Sequence, residues 1–166
     1  MRHCSRIAFP TEAMSERGSV LVVNGNGGFE SGDEYGTVLR ANGLHVQDFD
    51  QTKGLSQLDS AHPDVVVAET MFHATNAGGP GLIRELRSRL DDGTSIIVVS
   101  ERARREDREQ ARAAGADCLL VKPVLSNTLL YEVLRAVELR QSGRRLPWNW
   151  SPPLAPSTDR PRRPAS

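Results

Sequence analysis

Cysteine, aromatic residues and net charge are all scarce in this sequence. The 166 residues include two cysteines and 5% aromatic residues, and the formal net charge is +0. Cys4 lies in a polar stretch and Cys118 within an apolar run, a distribution that excludes a disulfide framework or a cysteine-based metal cluster. Balanced charge excludes a global attraction to nucleic acid or to an anionic membrane surface. Any charge-based function must therefore come from local clusters.

Long apolar runs are also missing. No stretch approaches the roughly 18 apolar residues that a membrane-spanning helix needs. Residues 1–18 lack the continuous apolar segment of a secretory signal. We therefore predict a cytoplasmic protein without membrane contact, in which residues 1–18 form a disordered extension.

Short apolar runs, in contrast, recur along the chain. Their β-branched residues and turn-like boundaries predict buried strands, at 19–23, 64–68, 95–99 and 118–121. A looser alternation predicts a more exposed strand at 44–49. Continuously apolar strands are typical of a parallel sheet that is covered by helices on both faces.

Segments of helical length separate these runs. They lie at 29–42, 55–61, 82–90 and 101–114, and a last helix follows Ser126 with an apolar stripe from Leu129 to Val137. Gly43 and Gly115 are predicted to end two of them, because glycine enters the left-handed region without a steric cost, and Ser126 is predicted to cap the last helix. Alternating strands and helices predict a three-layer α/β sandwich with five parallel strands, in the flavodoxin-like order 2-1-3-4-5, and five helices.

The end of the sequence has a different composition. Proline interrupts every potential element there, at Pro147, Pro152, Pro153, Pro156, Pro161 and Pro164. We predict one domain over 19–140 and a disordered tail, rich in proline and arginine, over 141–166.

Polar residues follow the predicted central strands. In a sheet of this order, the carboxyl ends of the strands meet at the topological switch point, where ligands and reactive groups lie. The residues at these ends, which we expect to converge, are Asn24, Gly25, Glu69, Ser100 and Lys122.

Several strings resemble the receiver domain of bacterial two-component response regulators, the CheY-like fold, over residues 19–139. They are Val20-Leu-Val-Val-Asn24, Pro63-Asp-Val-Val-Val-Ala-Glu69, Ile96-Ile-Val-Val-Ser100 and Gly115-Ala-Asp-Cys-Leu-Leu-Val-Lys122-Pro123. The last string is the most specific, and the resemblance implies a cis peptide bond between its lysine and proline.

The departures from the family pattern predict an altered phosphorylation site. In the family that the sequence resembles, two acidic residues after the first strand hold magnesium, and an aspartate at the end of the third strand is phosphorylated. In this sequence the acidic pair is replaced by Asn24 and Gly25, and the aspartate is replaced by Glu69. The family also has an aromatic residue that turns inward on activation, and Leu119 replaces it in this sequence. Ser100 and Lys122 match the family's phosphoryl-binding residues and are the remnants of that pocket. We therefore expect no metal, no other cofactor and no catalytic residue, and we predict a pseudo-receiver that is not an enzyme and acts through protein contacts.

Two interpretations of Glu69 stay open. Its carboxylate is a permanent stand-in for a modified aspartate, bonded to Lys122 and Ser100, or it forms a residual ion pair with Lys122 and has no output. Two alternative functions also stay open. One is a conventional single-domain regulator, and the other is a nucleic-acid adaptor that uses the basic tail and its two tryptophans.

The resemblance also implies the interaction surface. In the family, the equivalent of residues 101–139 forms the output and dimerisation face, so we expect a protein partner there, with a homodimer as an open alternative. Gly25-Asn-Gly-Gly28 fails the dinucleotide-loop spacing but leaves room for a small anion nest. The four histidines are scattered and predict neither a metal site nor a catalytic triad.

Overall fold

One parallel sheet flanked by helices makes up the fold in the computed structural model, which describes residues 17–24, 32–49, 54–70, 79–101 and 103–152. The strands are β1 (Ser19–Asn24), β2 (His45–Asp48), β3 (Val65–Glu69), β4 (Ser95–Ser100), β5 (Cys118–Val121) and β6 (Asn149–Ser151). The helices are α1 (Gly32–Ala41), a 3-10 helix (Leu55–Asp59), α2 (Pro80–Arg89), α3 (Arg105–Ala114) and α4 (Ser126–Gln141).

The strand order is β2-β1-β3-β4-β5-β6, with every neighbouring pair parallel. The predicted flavodoxin-like order of the first five strands is confirmed. All residues of β3, β4 and β5 are buried, as expected for strands that are covered on both faces. The predicted strand count of five is wrong by one, because β6 extends the sheet beyond β5.

Two hydrophobic cores lie on opposite faces of the sheet. On one face, α1 and α4 pack on alternate strand residues such as Val65 and Val67. On the other face, α2 and α3 pack on the intervening residues such as Val66 and Ala68. Because successive side chains of a strand point to opposite faces, a continuous apolar run supplies both cores at once.

The helix boundaries differ from the prediction in places. The third predicted segment begins at Pro80, and the fourth begins at Arg105 rather than at residue 101. The Asp107 side chain accepts a hydrogen bond from the Arg104 N–H at 2.9 Å and so fixes the start of α3. Ser126 is the first residue of α4 and not its cap, since Leu125 takes the cap position.

The helix count is also corrected. Four of the five predicted helices are α-helices, while 55–59 forms a 3-10 helix. Its five residues are too few for more than a tight connecting turn. Among the described residues, no helix is long and apolar enough to cross a membrane.

Two glycines end helices as predicted. Gly43 has φ of 82° and Gly115 has φ of 111°, both in the left-handed region. The Gly115 N–H donates to the carbonyls of Ala111 and Arg112 and completes the last turn of α3. Both helices therefore stop where the sequence predicts.

The predicted disorder of 141–166 is wrong for residues 141–152. Leu146 is buried, with 3% of its surface exposed, and β6 pairs with β5. The physical reason is that β5 would otherwise end the sheet with unpaired backbone groups, and the chain itself supplies the pairing strand. Gly18, whose carbonyl accepts the His45 N–H, also belongs to the fold. Residues 1–16 and 153–166 lie outside the described ranges, so disorder there stays a prediction.

Candidate functional site at the carboxyl ends of the strands

Three of the predicted site residues lie on adjacent strand ends. Glu69 ends β3, Ser100 ends β4 and Lys122 follows β5. The Lys122 ammonium forms an ion pair with Glu69 Oε1. The Lys122 N–H donates to the Ser100 carbonyl at 2.9 Å, which extends the β4–β5 ladder to the edge of the pocket. The structure thus brings together the strand-end positions of Glu69, Ser100 and Lys122, while the functional roles of these residues stay predictions.

The glutamate is held in a largely desolvated position. Glu69 is 8% exposed, and only 17% of the Lys122 side chain is exposed. Burial raises the pKa of the Glu69 carboxyl from 4.5 to about 7, because a charged carboxylate loses solvation there. Lys122 opposes this rise in pKa, and the negative charge of Glu101 adds to it. The carboxyl therefore changes its charge near neutral pH.

The end of β1 is only partly described. Asn24 pairs in register with Glu69 of β3, so its backbone borders the same pocket. Gly25, the rest of the predicted Gly25–Gly28 turn and the loop 71–78 lie outside the described residues. Among the residues that the structure covers, no group of three or more His, Cys, Asp or Glu is placed to hold a metal ion. The predicted lack of a magnesium site stays a prediction.

Thr70 was not predicted as a site residue. It is 5% exposed, directly after Glu69, and its Oγ1 accepts a hydrogen bond from the Gly79 N–H. This bond joins the two ends of the loop that starts beside the pocket. A lone threonine in a glycine-rich segment carries no sequence signal for such a contact.

The predicted aromatic position is filled by a buried leucine. Leu119 is 0% exposed and belongs to the core on the α2 and α3 face. Its partner in register on β6 is Trp150, which stacks on the Arg108 guanidinium of α3 at 3.9 Å from the ring centroid. An aromatic side chain is thus present beside position 119, but it comes from the tail.

The peptide bond between Lys122 and Pro123 is cis, as the resemblance implies. The loop that follows is tied to α1, because the Tyr35 hydroxyl donates to the Val124 carbonyl at 3.4 Å. The same string of residues therefore supplies both the lysine of the pocket and the turn that leads to α4.

A second buried carboxylate lies at the opposite end of the sheet. Asp117, which precedes β5, accepts hydrogen bonds from Arg87 at 2.6 Å and from the Ile96 N–H at 2.8 Å. It also forms an ion pair with Arg145 Nε at 2.9 Å. The Gly-Ala-Asp string marked this aspartate in the sequence, but its partners are distant in the chain and could not be inferred.

The model of the response regulator receiver domain matches residues 32–134. The chain belongs to the response regulator receiver family. Its parallel sheet with the 2-1-3-4-5 core is the fold of that family. The search of curated proteins found no match.

Solved receiver structures share this fold. A CheY-like receiver domain from Methanospirillum hungatei superposes with a TM-score of 0.62 at 20% identity, covering 75% of this chain and 97% of its own. The chemotaxis response regulator CheY4 of Vibrio cholerae gives 0.59 at 23% identity, covering 71% and 97%. A two-component response regulator from Clostridium difficile gives 0.60 at 15% identity, covering 72% and 95%. At these identities the likeness concerns the fold alone.

Proposed function

We propose that this receiver transmits signals through protein contacts and without conventional aspartyl phosphorylation. The supporting observation is the ion pair between Glu69 and Lys122 at the position where the family places its phosphorylated aspartate and its conserved lysine. The lysine that would contact a phosphoryl group already has a carboxylate partner. The pocket is therefore occupied by the chain's own carboxyl and amino groups.

The geometry of glutamate supports the same proposal. Its side chain is one methylene longer than that of aspartate, so its carboxylate does not stand where in-line phosphoryl transfer to an aspartate takes place. With Asn24 and Gly25 after β1, the acidic pair that magnesium requires is replaced by neutral residues. Both the acceptor and the metal-binding part of the reaction are altered.

The experiment compares phosphorylation of the natural chain and of a restored site. Purified protein is incubated with acetyl phosphate and magnesium, and its intact mass is measured. We expect no added phosphoryl group on the natural chain and one on the variant Asn24→Asp, Gly25→Asp, Glu69→Asp. The control replaces Glu69→Asp in that variant by Glu69→Asn, which should stay unmodified. A labile phosphoryl adduct on the natural chain would instead establish a conventional regulator.

The two interpretations of Glu69 remain alternatives within this proposal. In the stand-in interpretation, the charge-assisted bond to Lys122 holds the neighbouring loops in one state. In the residual interpretation, the pair is a remnant without output.

The nucleic-acid alternative has less support from the described part of the tail. Arg140 forms ion pairs with Asp64 and Asp91, and Arg145 forms one with Asp117. These intramolecular contacts compete with phosphate binding. The remaining basic tail residues beyond 152 lie outside the described ranges, and a cytoplasmic location likewise stays a prediction.

Receiver domains commonly bind other proteins and form dimers, and the expected face in this chain is 101–139. That face contains α3, β5 and α4. Tyr131 on α4 is 63% exposed and Leu125 before it is 54% exposed, which leaves apolar surface available for contact. We therefore assign the protein-binding role to this face, as modified by β6.

A further inference from the structure

The last strand occupies the edge of the sheet that β5 would otherwise expose. β6 runs parallel to β5, with Cys118 opposite Asn149 and Leu120 opposite Ser151. It lies beyond the matched family region, which ends at residue 134. The five-stranded order β2-β1-β3-β4-β5 is complete without β6. The strand is thus an added element that covers an already formed edge.

The segment before β6 is anchored at the amino end of the sheet. Leu146 is 3% exposed, and its N–H donates to Ser95 Oγ at 3.0 Å. Arg145 Nε lies 2.9 Å from Asp117 Oδ1, and the Asn149 N–H donates to the Asp117 carbonyl at 3.1 Å. The Arg145 guanidinium and the buried Leu146 side chain therefore fix the direction and the register of residues 145–151.

Both faces of β6 also contact the domain. On the α4 face, Asn149 Nδ2 donates to Glu132 at 3.3 Å. On the α3 face, Trp148 packs against the core and Trp150 stacks on Arg108. The edge between α3 and α4 thus recognises an extended strand by its backbone and by particular side chains, which is the mode of β-augmentation.

The covering strand is held less firmly than the strands that it extends. It has three residues, none of them buried, and Trp150 is 39% exposed. Pro152 follows it and lacks the N–H that would continue the ladder. Short, exposed edge elements open at a lower free-energy cost than the buried core does. The three residues of β6 are therefore expected to open at a lower cost than the buried strands β3, β4 and β5.

We infer that the β5 edge is a strand-accepting site for an extended segment of a partner protein, and that residues 145–151 are its resident, displaceable occupant. The residues of this segment indicate what the partner must offer. We expect a strand parallel to β5 that carries an arginine to pair with Asp117, a leucine directly after it, and a tryptophan to stack on Arg108. The inference rests on the proposed protein-binding role and identifies the surface that performs it.

The test uses the full chain and a fluorescent peptide with the sequence of residues 144–152. In the natural chain, the tethered segment competes at an effective concentration in the millimolar range, so peptide binding should be weak. The double variant Arg145→Ala, Trp150→Ala loses two contacts that hold residues 145–151 on the domain. We expect this variant to bind the peptide at least about tenfold more tightly than the natural chain does, as measured by fluorescence anisotropy. A peptide of scrambled sequence is the control.

A covalent lock supplies the opposite case. Residues 118 and 149 are direct neighbours on parallel strands, which lie about 4.8 Å apart, within the Cα range of a disulfide. The variant Asn149→Cys, with Cys4→Ser, is oxidised with oxidised glutathione, and intact mass confirms the bond. We expect the locked chain to bind no peptide and reduction to restore the binding of the natural chain.

Several outcomes would overturn the inference. One is a weakened variant that keeps a cooperative thermal unfolding transition but binds the peptide no better than the natural chain. Another is a locked chain that binds the peptide as well as its reduced form does. Dimers of the weakened variant in size-exclusion chromatography would assign the edge to exchange between two copies instead. None of these measurements depends on phosphorylation, so their failure leaves the proposed altered phosphorylation site untouched.

Discussion

The two ends of the sheet each bury a carboxylate beside a cation, but they are built differently. At the amino end, Asp117 is bound by two arginines and a backbone N–H. At the carboxyl end, Glu69 meets the flexible side chain of Lys122 beside loops. Burial raises the pKa of both carboxyls. The first arrangement is a structural joint between β5, α2, β4 and the segment before β6, whereas the second pairs the ends of β3 and β5.

The largest expected effect is at the amino end. Asp117→Ala leaves Arg87 and Arg145 without their carboxylate and removes the acceptor of the Ile96 N–H. Breaking a buried pair by removing one partner costs about 3 kcal/mol or more. We expect a loss of that size in the free energy of unfolding from urea titration. Asp117→Asn, which keeps an acceptor oxygen, is the control and should lose less; equal stability of Asp117→Ala and the natural chain would remove the contrast between the two ends.

The next effect tests the backbone that supports this joint. Gly115 has φ of 111°, and a Cβ there would lie 2.9 Å from Arg87 Cγ. Gly115→Ala therefore strains the backbone and pushes the arginine away from Asp117, at a cost of about 1–3 kcal/mol. Thermal unfolding followed by circular dichroism measures the loss. Gly81→Ala on α2, where a Cβ meets nothing within 4 Å, is the matched control. A similar loss in both variants would mean that the joint is not involved.

The smallest effect concerns pH at the carboxyl end. The pKa of Glu69 is raised from 4.5 in the unfolded chain to about 7 in the fold. The folded state then binds more protons between these values, so this contribution is present below pH 4.5 and is lost as the pH rises through about 7. The stability of the natural chain relative to Glu69→Gln should fall over that window by on the order of 1 kcal/mol.

Urea titrations from pH 4.5 to 8 measure this difference. Glu109→Gln removes a carboxylate from the exposed pair with Arg105 on α3 and controls for the loss of one charge. A difference between the natural chain and Glu69→Gln that rises with pH would show that Lys122 outweighs burial.

The sequence predicted the parts of the fold that depend on local patterns. Continuous apolar runs such as 95–99, bounded by turn-like residues, predicted strands covered on both faces, and β4 is fully buried. Gly43 and Gly115 predicted helix ends, because few residues other than glycine adopt the left-handed backbone conformation easily. The meeting of Glu69 and Lys122 followed from the strand order, since the ends of parallel strands share one edge.

Other features could not be predicted for identifiable reasons. The start of α3 depends on one side chain, Asp107, which outweighs the helix propensity of the preceding residues. β6 consists of Asn149, Trp150 and Ser151 among prolines, a composition typical of a loop. Its pairing depends on an unoccupied edge elsewhere in the fold, and a local window contains no information about that edge.

The amino-acid sequence by itself determined the layered α/β architecture and the presence of a glutamate, a serine and a lysine at its strand ends, because periodicity and strand order act through short-range geometry. Only the tertiary structure decided that Asp117 joins Arg87 to Arg145 and that the tail completes the sheet. These contacts join residues far apart in the chain, and their free energy arises only after the core has brought them together.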